Sequence, residues 1–179
     1  MRTWYRNLDA ISIIAWLGLV LVGLTAIYSA THGPAADVSA FEPQENFVKQ
    51  LLWLGISVFG LLVALSLPIR FFQLAAFPVY VITTLLLVAA LFVGREVNGA
   101  KSWIYFGSTG LQVSELAKVG TVMAVAQLVG IRRPKTMDIK FALMLVALIL
   151  LPASLIVLQN DTGTALVFFG LIPVALFWS

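Results

Sequence analysis

The chain has 179 residues, 61% of them hydrophobic and 11% charged, with a formal net charge of +3 and a mean hydropathy of +1.02. Soluble domains average about 45–50% apolar and about 25% charged residues, so the composition excludes that class and indicates an integral membrane protein. There is no cysteine for a disulfide or thiolate metal site, and no P-loop, nucleophile elbow or zinc-binding histidine pattern occurs.

About 20 apolar residues cross a hydrocarbon core of about 30 Å. Runs of that kind predict spanning helices over 10–30, 47–67, 71–93, 111–131 and 141–158, and a sixth starts near Gly163 and is still apolar at Ser179. The expected fold is all-α: a polytopic transmembrane helical bundle of five complete spans plus a sixth, forming one integral membrane domain over 1–179. The alternating strands of a β-barrel are not found. The first run carries Arg2 and Arg6 on its flank but is as long as a span, and Tyr28-Ser29-Ala30 is a poor cleavage site, so a retained helix is expected rather than a signal peptide. Gly18, Gly23 and Ala26 would allow close helix contact there. His32 falls in the following loop as a surface residue rather than a ligand. That loop, 31–46, holds the turn formers Gly33-Pro34 and Glu42-Pro43. The short link 66–70 makes spans two and three an antiparallel hairpin, and Pro78 and Pro152 are expected to bend their helices. The sixth run has about 17 residues, Trp178 at its far end and no basic anchor after it. The expectation is an amino-terminal fragment interrupted near the end of a helix.

The charges give a topology. Arg2, Arg6, Arg70, Arg132, Arg133, Lys135 and Lys140 fall at alternate span ends, seven of the eleven basic residues. The positive-inside rule puts that side, and the amino terminus, in the cytoplasm. Loops 31–46 and 94–110 are then outside. The basic loop 132–140 reads as a topology anchor touching membrane lipid rather than a nucleic-acid patch.

Three ionisable groups lie close to apolar runs, where a charge costs at least roughly 2.5–3.5 kcal/mol and needs a partner or a task. Glycines 99, 107 and 110 predict a tight, irregular loop, and Trp103, Tyr105 and Phe106 suit the outer headgroup level. Ser114 is placed as the N-cap of span four, with Glu115 in the first turn, where the helix dipole favours negative charge. Lys118, three residues on, shares a face with Glu115. The pair is either an intrahelical ion pair or the lining of a cavity that binds a charged head. Asp161 emerges at the same depth between spans five and six, either capping the sixth helix or completing a convergent site. Two carboxylates and an ammonium suit a divalent cation with a diphosphate, or a phosphate held directly.

The motifs that hold these residues resemble the SEDS family (RodA, FtsW and SpoVE) of cell-wall polymerases, along nearly the whole chain. Gly99-Ala100-Lys101-Ser102-Trp103-Ile104, Gln112-Val113-Ser114-Glu115-Leu116-Ala117-Lys118 and Gln159-Asn160-Asp161-Thr162-Gly163-Thr164-Ala165 are similar to the family's G-A-x-R-W-[IL], Q-P-S-E-x-x-K and Q-P-D-x-G-T-A. Asn7-Leu8-Asp9, Ile27-Tyr28-Ser29-Ala30-Thr31 and Phe47-Val48-Lys49-Gln50 add to the likeness. The resemblance implies the amino-terminal part of a domain of roughly ten spans. Such a domain acts in cell elongation, shape or division at the bacterial cytoplasmic (inner) membrane, as a peptidoglycan glycosyltransferase. It implies metal-dependent, inverting-type transfer from lipid II at the outer leaflet, beside a class B penicillin-binding protein transpeptidase.

By the same resemblance Glu115, Lys118, Asp161, Lys101, Gln112 and Ser114 are substrate-binding, and Glu115 and Asp161 are ligands for a divalent cation, Mg or Mn. The family's catalytic aspartate lies in a large outer loop that this chain lacks, so no catalytic residue is assigned. Ser102 stands where the family has arginine, removing a phosphate contact, and Val113 and Asn160 replace two prolines, which should relax the backbone. Asn7-Leu8-Asp9, Ile27–Thr31 and the short loops favour the RodA-like elongation type. The alternatives are a lipid II flippase or proton-coupled transporter using the same charges, or a non-catalytic scaffold for a penicillin-binding protein.

Overall fold

An apolar run in lipid must satisfy its backbone hydrogen bonds within itself, which favours helices. The computed structural model describes residues 9–32, 43–107, 109–132 and 138–178. Asn7-Leu8, Arg2, Arg6, Gly33-Pro34, Glu42, Arg133 and Lys135 lie outside them, as do the side chains of His32, Phe106 and Trp178. In chain order the elements are helices α1 (Ala10–His32), α2 (Pro43–Ser66) and α3 (Ile69–Val93), strands β1 (Arg95–Val97), β2 (Ala100–Phe106) and β3 (Thr109–Gln112), then helices α4 (Val113–Arg132), α5 (Ile139–Leu158) and α6 (Thr162–Trp178). The first five helices are long and apolar enough to cross a membrane; α6, with 17 residues, is shorter.

The helices follow the expected spans with three local differences. The first runs through His32, so that residue ends a helix instead of lying in a loop. Pro43 opens α2, a position that needs no N–H and suits a fixed φ. Pro173 joins Pro78 and Pro152 inside a helix. At the start of α1, Asp9 accepts bonds from the Ser12 hydroxyl (2.6 Å) and the Ile11 N–H (3.0 Å). Those bonds, Ser12 first, hold its carboxyl below the usual range.

The chain packs as two compact units, Met1–Ser66 and Leu67–Ser179. In the first, Tyr28 of α1 meets Phe47 of α2 edge-on, with ring centroids 5.6 Å apart. The close contact expected at Gly18 and Gly23 is not made among the described residues, where a Cβ at either would meet nothing within 4 Å. Exposed apolar side chains such as Leu19, Val22, Leu52 and Phe59 cover these helices instead.

The second unit is built on a core of Leu87 (α3), Val113 and Ala117 (α4), Leu145 and Ile149 (α5) and Phe168 (α6). The Tyr80 hydroxyl donates to the Leu148 carbonyl at 2.9 Å, tying α3 to α5. The tight approach is at Gly120, where a Cβ would stand 2.5 Å from Thr83 Oγ1 and 3.2 Å from the Tyr80 Cα. The missing side chain lets α3 and α4 pack backbone to backbone.

Between α3 and α4 the chain forms a three-stranded antiparallel sheet in the order β1-β2-β3, not an irregular loop. Asn98 (φ 53°) and Gly99 (φ 84°) make the two-residue turn of the first hairpin, and paired positive φ values match the right-handed twist of the strands. Arg95 pairs with Trp103, Trp103 with Gln112, and Tyr105 with Gly110. Residues opposite one another share a face, so these five lie on one side. Ser102 and Ile104 lie on the other; Ser102 is fully buried and Ile104 packs on the core. The Lys101 N–H donates to the Gln159 carbonyl at 2.8 Å, fastening β2 to the end of α5.

Alanine at 120 gains up to about 1 kcal/mol of helix propensity, but overpacking against a backbone costs about 1–3 kcal/mol. Gly120→Ala is therefore expected to lower the unfolding midpoint in detergent, whereas Gly130→Ala, with nothing within 4 Å of its Cβ, should hold or raise it. Equal midpoints would show that α3 and α4 do not approach this closely.

Candidate functional site

The site is organised by how α5 ends. Asn160 takes φ 59°, a left-handed backbone. Its N–H donates to the Val157 carbonyl (3.0 Å) and the Asp161 N–H to the Ile156 carbonyl (3.2 Å). This pair of bonds is a Schellman ending, with asparagine in the place often taken by glycine. It delivers Asp161 at the start of α6, where Oδ1 accepts the Thr164 N–H at 3.2 Å and the backbone carbonyl accepts the Ala165 N–H at 3.1 Å. Asp161 is thus a helix cap.

It is also a junction. Asp161 Oδ2 accepts Gln112 Nε2 at 3.3 Å and the Ser114 hydroxyl at 3.2 Å. The cap reading of this residue is realised, and its second oxygen gathers Gln112 and Ser114. Ser114 is not the N-cap that local spacing suggests. Helix α4 begins one residue earlier, and the Ser114 hydroxyl, fully buried, turns to Asp161. Burial pushes the Asp161 carboxyl up, but bonds from Thr164, Gln112 and Ser114 outweigh it and hold the group below the usual carboxylate range.

Glu115 lies in the first turn of α4, and Lys118 Nζ donates to Glu115 Oε1 at 2.7 Å. Their side chains are 54% and 28% exposed. The contact is an intrahelical i,i+3 ion pair, of a kind that stabilises a helix by about 0.2–0.5 kcal/mol. Lys118 also lines a cavity of about 210 Å³ with Val122 of α4 and Val167, Phe168 and Leu171 of α6. One ammonium beside apolar walls can take the charged head of an amphipathic molecule.

The structure therefore joins Gln112, Ser114 and Asp161 by hydrogen bonds and sets Glu115 and Lys118 as a pair on the same helix. Lys101 is fastened to Gln159 through its backbone, and its side chain is exposed on the sheet. Sequence reasoning passed over the Gln159 side chain. It is buried, its Nε2 donates to the Leu87 carbonyl of α3 at 2.8 Å, and its Oε1 has no partner among the described residues. An amide between an apolar run and an acid was the available signal. Glu115 and Asp161 are oxygen donors of the type a hard cation takes. No group of three or more His, Cys, Asp or Glu comes together among the described residues.

A family model described as cell cycle protein, covering FtsW, RodA and SpoVE, matches residues 9–179. The chain belongs to the FtsW/RodA/SpoVE family. The probable peptidoglycan glycosyltransferase FtsW of Mycobacterium tuberculosis is 32% identical over 99% of this chain and 33% of its own length. The crystal structure of the Thermus thermophilus rod shape-determining protein RodA has a TM-score of 0.75 at 29% identity, covering 94% of this chain and 54% of that one. A chain from a peptidoglycan synthase complex, solved for the structural coordination of polymerization and crosslinking, has a TM-score of 0.66 at 30% identity, over 86% of this chain and 44% of that one. The chain thus spans a third to about half the length of these relatives. With five span-length apolar helices, this FtsW/RodA/SpoVE chain is a multi-pass bacterial membrane protein.

The three departures from the family motifs now have physical descriptions. Val113 is the first residue of α4, where a proline would also be accepted, and it is fully buried in the core. Asn160 does not relax the turn: its φ of 59° and its donated N–H are both closed to proline. Ser102 looks into the bundle, and its hydroxyl oxygen has no partner.

Asn160→Pro should release Asp161, costing roughly 1–3 kcal/mol through the lost bond and the forbidden φ. Asn160→Gly should keep the turn. Amide exchange at Thr164 reads the difference, and a proline variant as protected as the glycine one would rule out the left-handed turn. A carboxyl held below its usual value contributes stability that is complete above that value, about pH 3.9, and is lost as pH falls through the lowered one. A carbon-13 titration of Asp161 is expected to have its midpoint below pH ~3.9, and Thr164 protection should fall only in that acid range. A midpoint at or above the usual value would count against the Gln112, Ser114 and Thr164 bonds.

Proposed function

We propose that this chain forms the part of a peptidoglycan glycosyltransferase that holds the diphosphate head of lipid II at the outer leaflet of the bacterial inner membrane. The bonding of Gln112 and Ser114 to Asp161 carries the reading, because it ties two sequence motifs into one site beside the Glu115–Lys118 pair. The basic residues at alternate span ends support a cytoplasmic amino terminus, which puts the sheet and Asp161 on the outer side.

Each residue then has a task. Lys118 donates to phosphate oxygens and Glu115 keeps its ammonium aimed. The cavity walls Val122, Val167, Phe168 and Leu171 receive the adjoining lipid. Gln112 and Ser114 fix Asp161 in its ionised form, and Lys101 adds positive charge at the rim. Glu115 and Asp161 would hold a divalent cation, Mg or Mn, that keeps most of its shell from water and phosphate. When bound, such a cation neutralises the leaving diphosphate. The synthase complex among the relatives supports a class B penicillin-binding protein as partner, and Asn7-Leu8-Asp9 with Ile27–Thr31 supports a RodA-like role in elongation.

The test grafts residues 9–179 in place of the matching part of Thermus RodA and supplies labelled lipid II. The hybrid should polymerise glycan. A hydrogen bond to a charged group is worth about 1.5–3 kcal/mol, so Lys118→Ala or Asp161→Ala should lower the rate roughly 10–100-fold. Transbilayer movement of lipid II without glycan would instead establish a flippase or carrier. A folded hybrid that binds its transpeptidase and neither moves nor polymerises lipid II would leave a scaffold.

A further inference from the structure

Helices α3 and α4 meet at Gly120, near the middle of the 20-residue α4, with Thr83 and the Tyr80 backbone against the glycine. Beyond that contact, toward the end that carries Arg70 and Arg132, a groove of about 250 Å³ opens between them. Its chemistry changes in step along both helices. Passing toward the mouth, α4 contributes Val122, Met123 and Ala126, then Gln127, then Gly130, while α3 contributes Gln73 and then Ile69. Arg70 follows Ile69 and is exposed. Gln73 is exposed and Gln127 half-buried, and neither amide has a hydrogen-bond partner among the described residues.

A polar group that faces hydrocarbon is costly until something bonds it. The length of the groove limits what that something is. Val122 to Gly130 covers about 12 Å at 1.5 Å per residue, close to half of a hydrocarbon core of about 30 Å. A spanning partner helix needs a seam across both leaflets, and the Gly120 contact closes this groove at mid-membrane. An occupant that reaches from the surface to the bilayer centre is a single lipid. Its chemistry follows the same order: an anionic phosphate outermost, then ester carbonyls that only accept hydrogen bonds, then an acyl chain. Arg70 stands at the mouth, two amide N–H donors lie about 4.5 Å deeper along α3, and apolar walls follow. Arg132 is turned to α5, its guanidinium 5.5 Å from the Phe141 ring centre, which leaves Arg70 as the cation for the groove among the described residues. At this end of the unit Arg70, Arg132 and Lys140 face one described acid, Asp138, so the field favours an anionic head over a choline head.

We propose that the groove between α3 and α4 is a binding site for one anionic glycerophospholipid of the leaflet at the basic end of the bundle. Arg70 pairs with the phosphate, Gln73 and Gln127 donate to the ester carbonyls, and an acyl chain lies along Ala126, Met123 and Val122. Gly130 keeps the mouth open, since a Cβ there meets nothing within 4 Å. The lipid fills the space left where α3 and α4 part, and so braces the end of the unit opposite Asp161. This inference stands apart from the polymerase reading, because none of its residues belongs to the Lys118 cavity except Val122, whose side is shared.

The test is native mass spectrometry of the full chain in detergent, with phosphatidylglycerol, phosphatidylcholine and diacylglycerol as probes. One phosphatidylglycerol should be retained, in preference to both others. Replacing both amides, Gln73→Leu with Gln127→Leu, should weaken its retention about tenfold, and Arg70→Ala should remove the preference for phosphatidylglycerol over diacylglycerol. Ala126→Phe, which fills the groove, should abolish retention, whereas Val119→Phe, on the exposed side of α4, should change it less than about twofold. The unaltered chain decides the matter even if a variant does not fold: retention of no phosphatidylglycerol, or of diacylglycerol equally well, overturns the proposal. Retention that survives both Ala126→Phe and the double leucine variant also overturns it. The chain has no cysteine, so a single Gln127→Cys can be oxidised in nanodiscs. Efficient disulfide dimers there, absent from Val119→Cys, would assign the groove to a protein helix and overturn the lipid assignment.

Discussion

One carboxylate sets the register of the second unit. Asp161 accepts from Gln112 at the end of β3, from Ser114 in the first turn of α4 and from Thr164 in the first turn of α6. Two elements that adjoin in the chain, β3 and α4, meet the start of α6 at two oxygen atoms, across separations of 49 and 47 residues. A charged acceptor strengthens each bond, and the bonds in turn keep the charge tolerable at the edge of an apolar bundle. If the carboxylate were removed, the buried Ser114 hydroxyl would be left without this acceptor, α6 would lose its cap, and the sheet would lose its tie through Gln112.

The bundle beneath is held by bonds that use backbone carbonyls as acceptors. Gln159 donates to Leu87 and Tyr80 to Leu148, both side chain to main chain and both between helices. In an apolar medium such bonds count because the released groups find no water. They join α3 to α5, and Gly120 lets α4 lie against Thr83 and the Tyr80 backbone of α3. The consequence is a rigid seat for Glu115 and Lys118, with the apolar cavity opening on the side where α6 leans on α4.

The spans were legible because hydropathy is a sum over many residues, and no single exception moves it. The sheet was not, because the glycines that suggested irregularity at 99, 107 and 110 belong to two successive antiparallel hairpins, the first of them with a register shift. Asn98-Gly99 was the available signal, but Arg95-Glu96-Val97 before it and Ala100-Lys101-Ser102 after it lack the alternating apolar pattern of a strand. Charge placement singled out Asp161, Glu115 and Lys118, but not the bonds each of them makes. Ser114 reads as a cap by local spacing, yet its partner lies 47 residues away in the chain, a distance no local rule covers. Gly18 and Gly23 fit a packing pattern, yet a Cβ at either would meet nothing within 4 Å among the described residues, while Gly120, which stood in no noted pattern, lies where a Cβ would crowd Thr83 and Tyr80 of α3. Asn160 looked like a loosened proline site because a replaced proline says nothing about which φ the new residue adopts.

That left-handed asparagine separates two kinds of evolutionary constraint. The position of Asp161 follows from backbone handedness and two main-chain bonds at the end of α5, not from the apolar side chains before and after it. Leu158 and Leu166, both exposed, take no part in that turn and could be exchanged for other apolar residues without moving it. The acid they flank stays in place, so adaptation to a new bilayer need not disturb the chemistry.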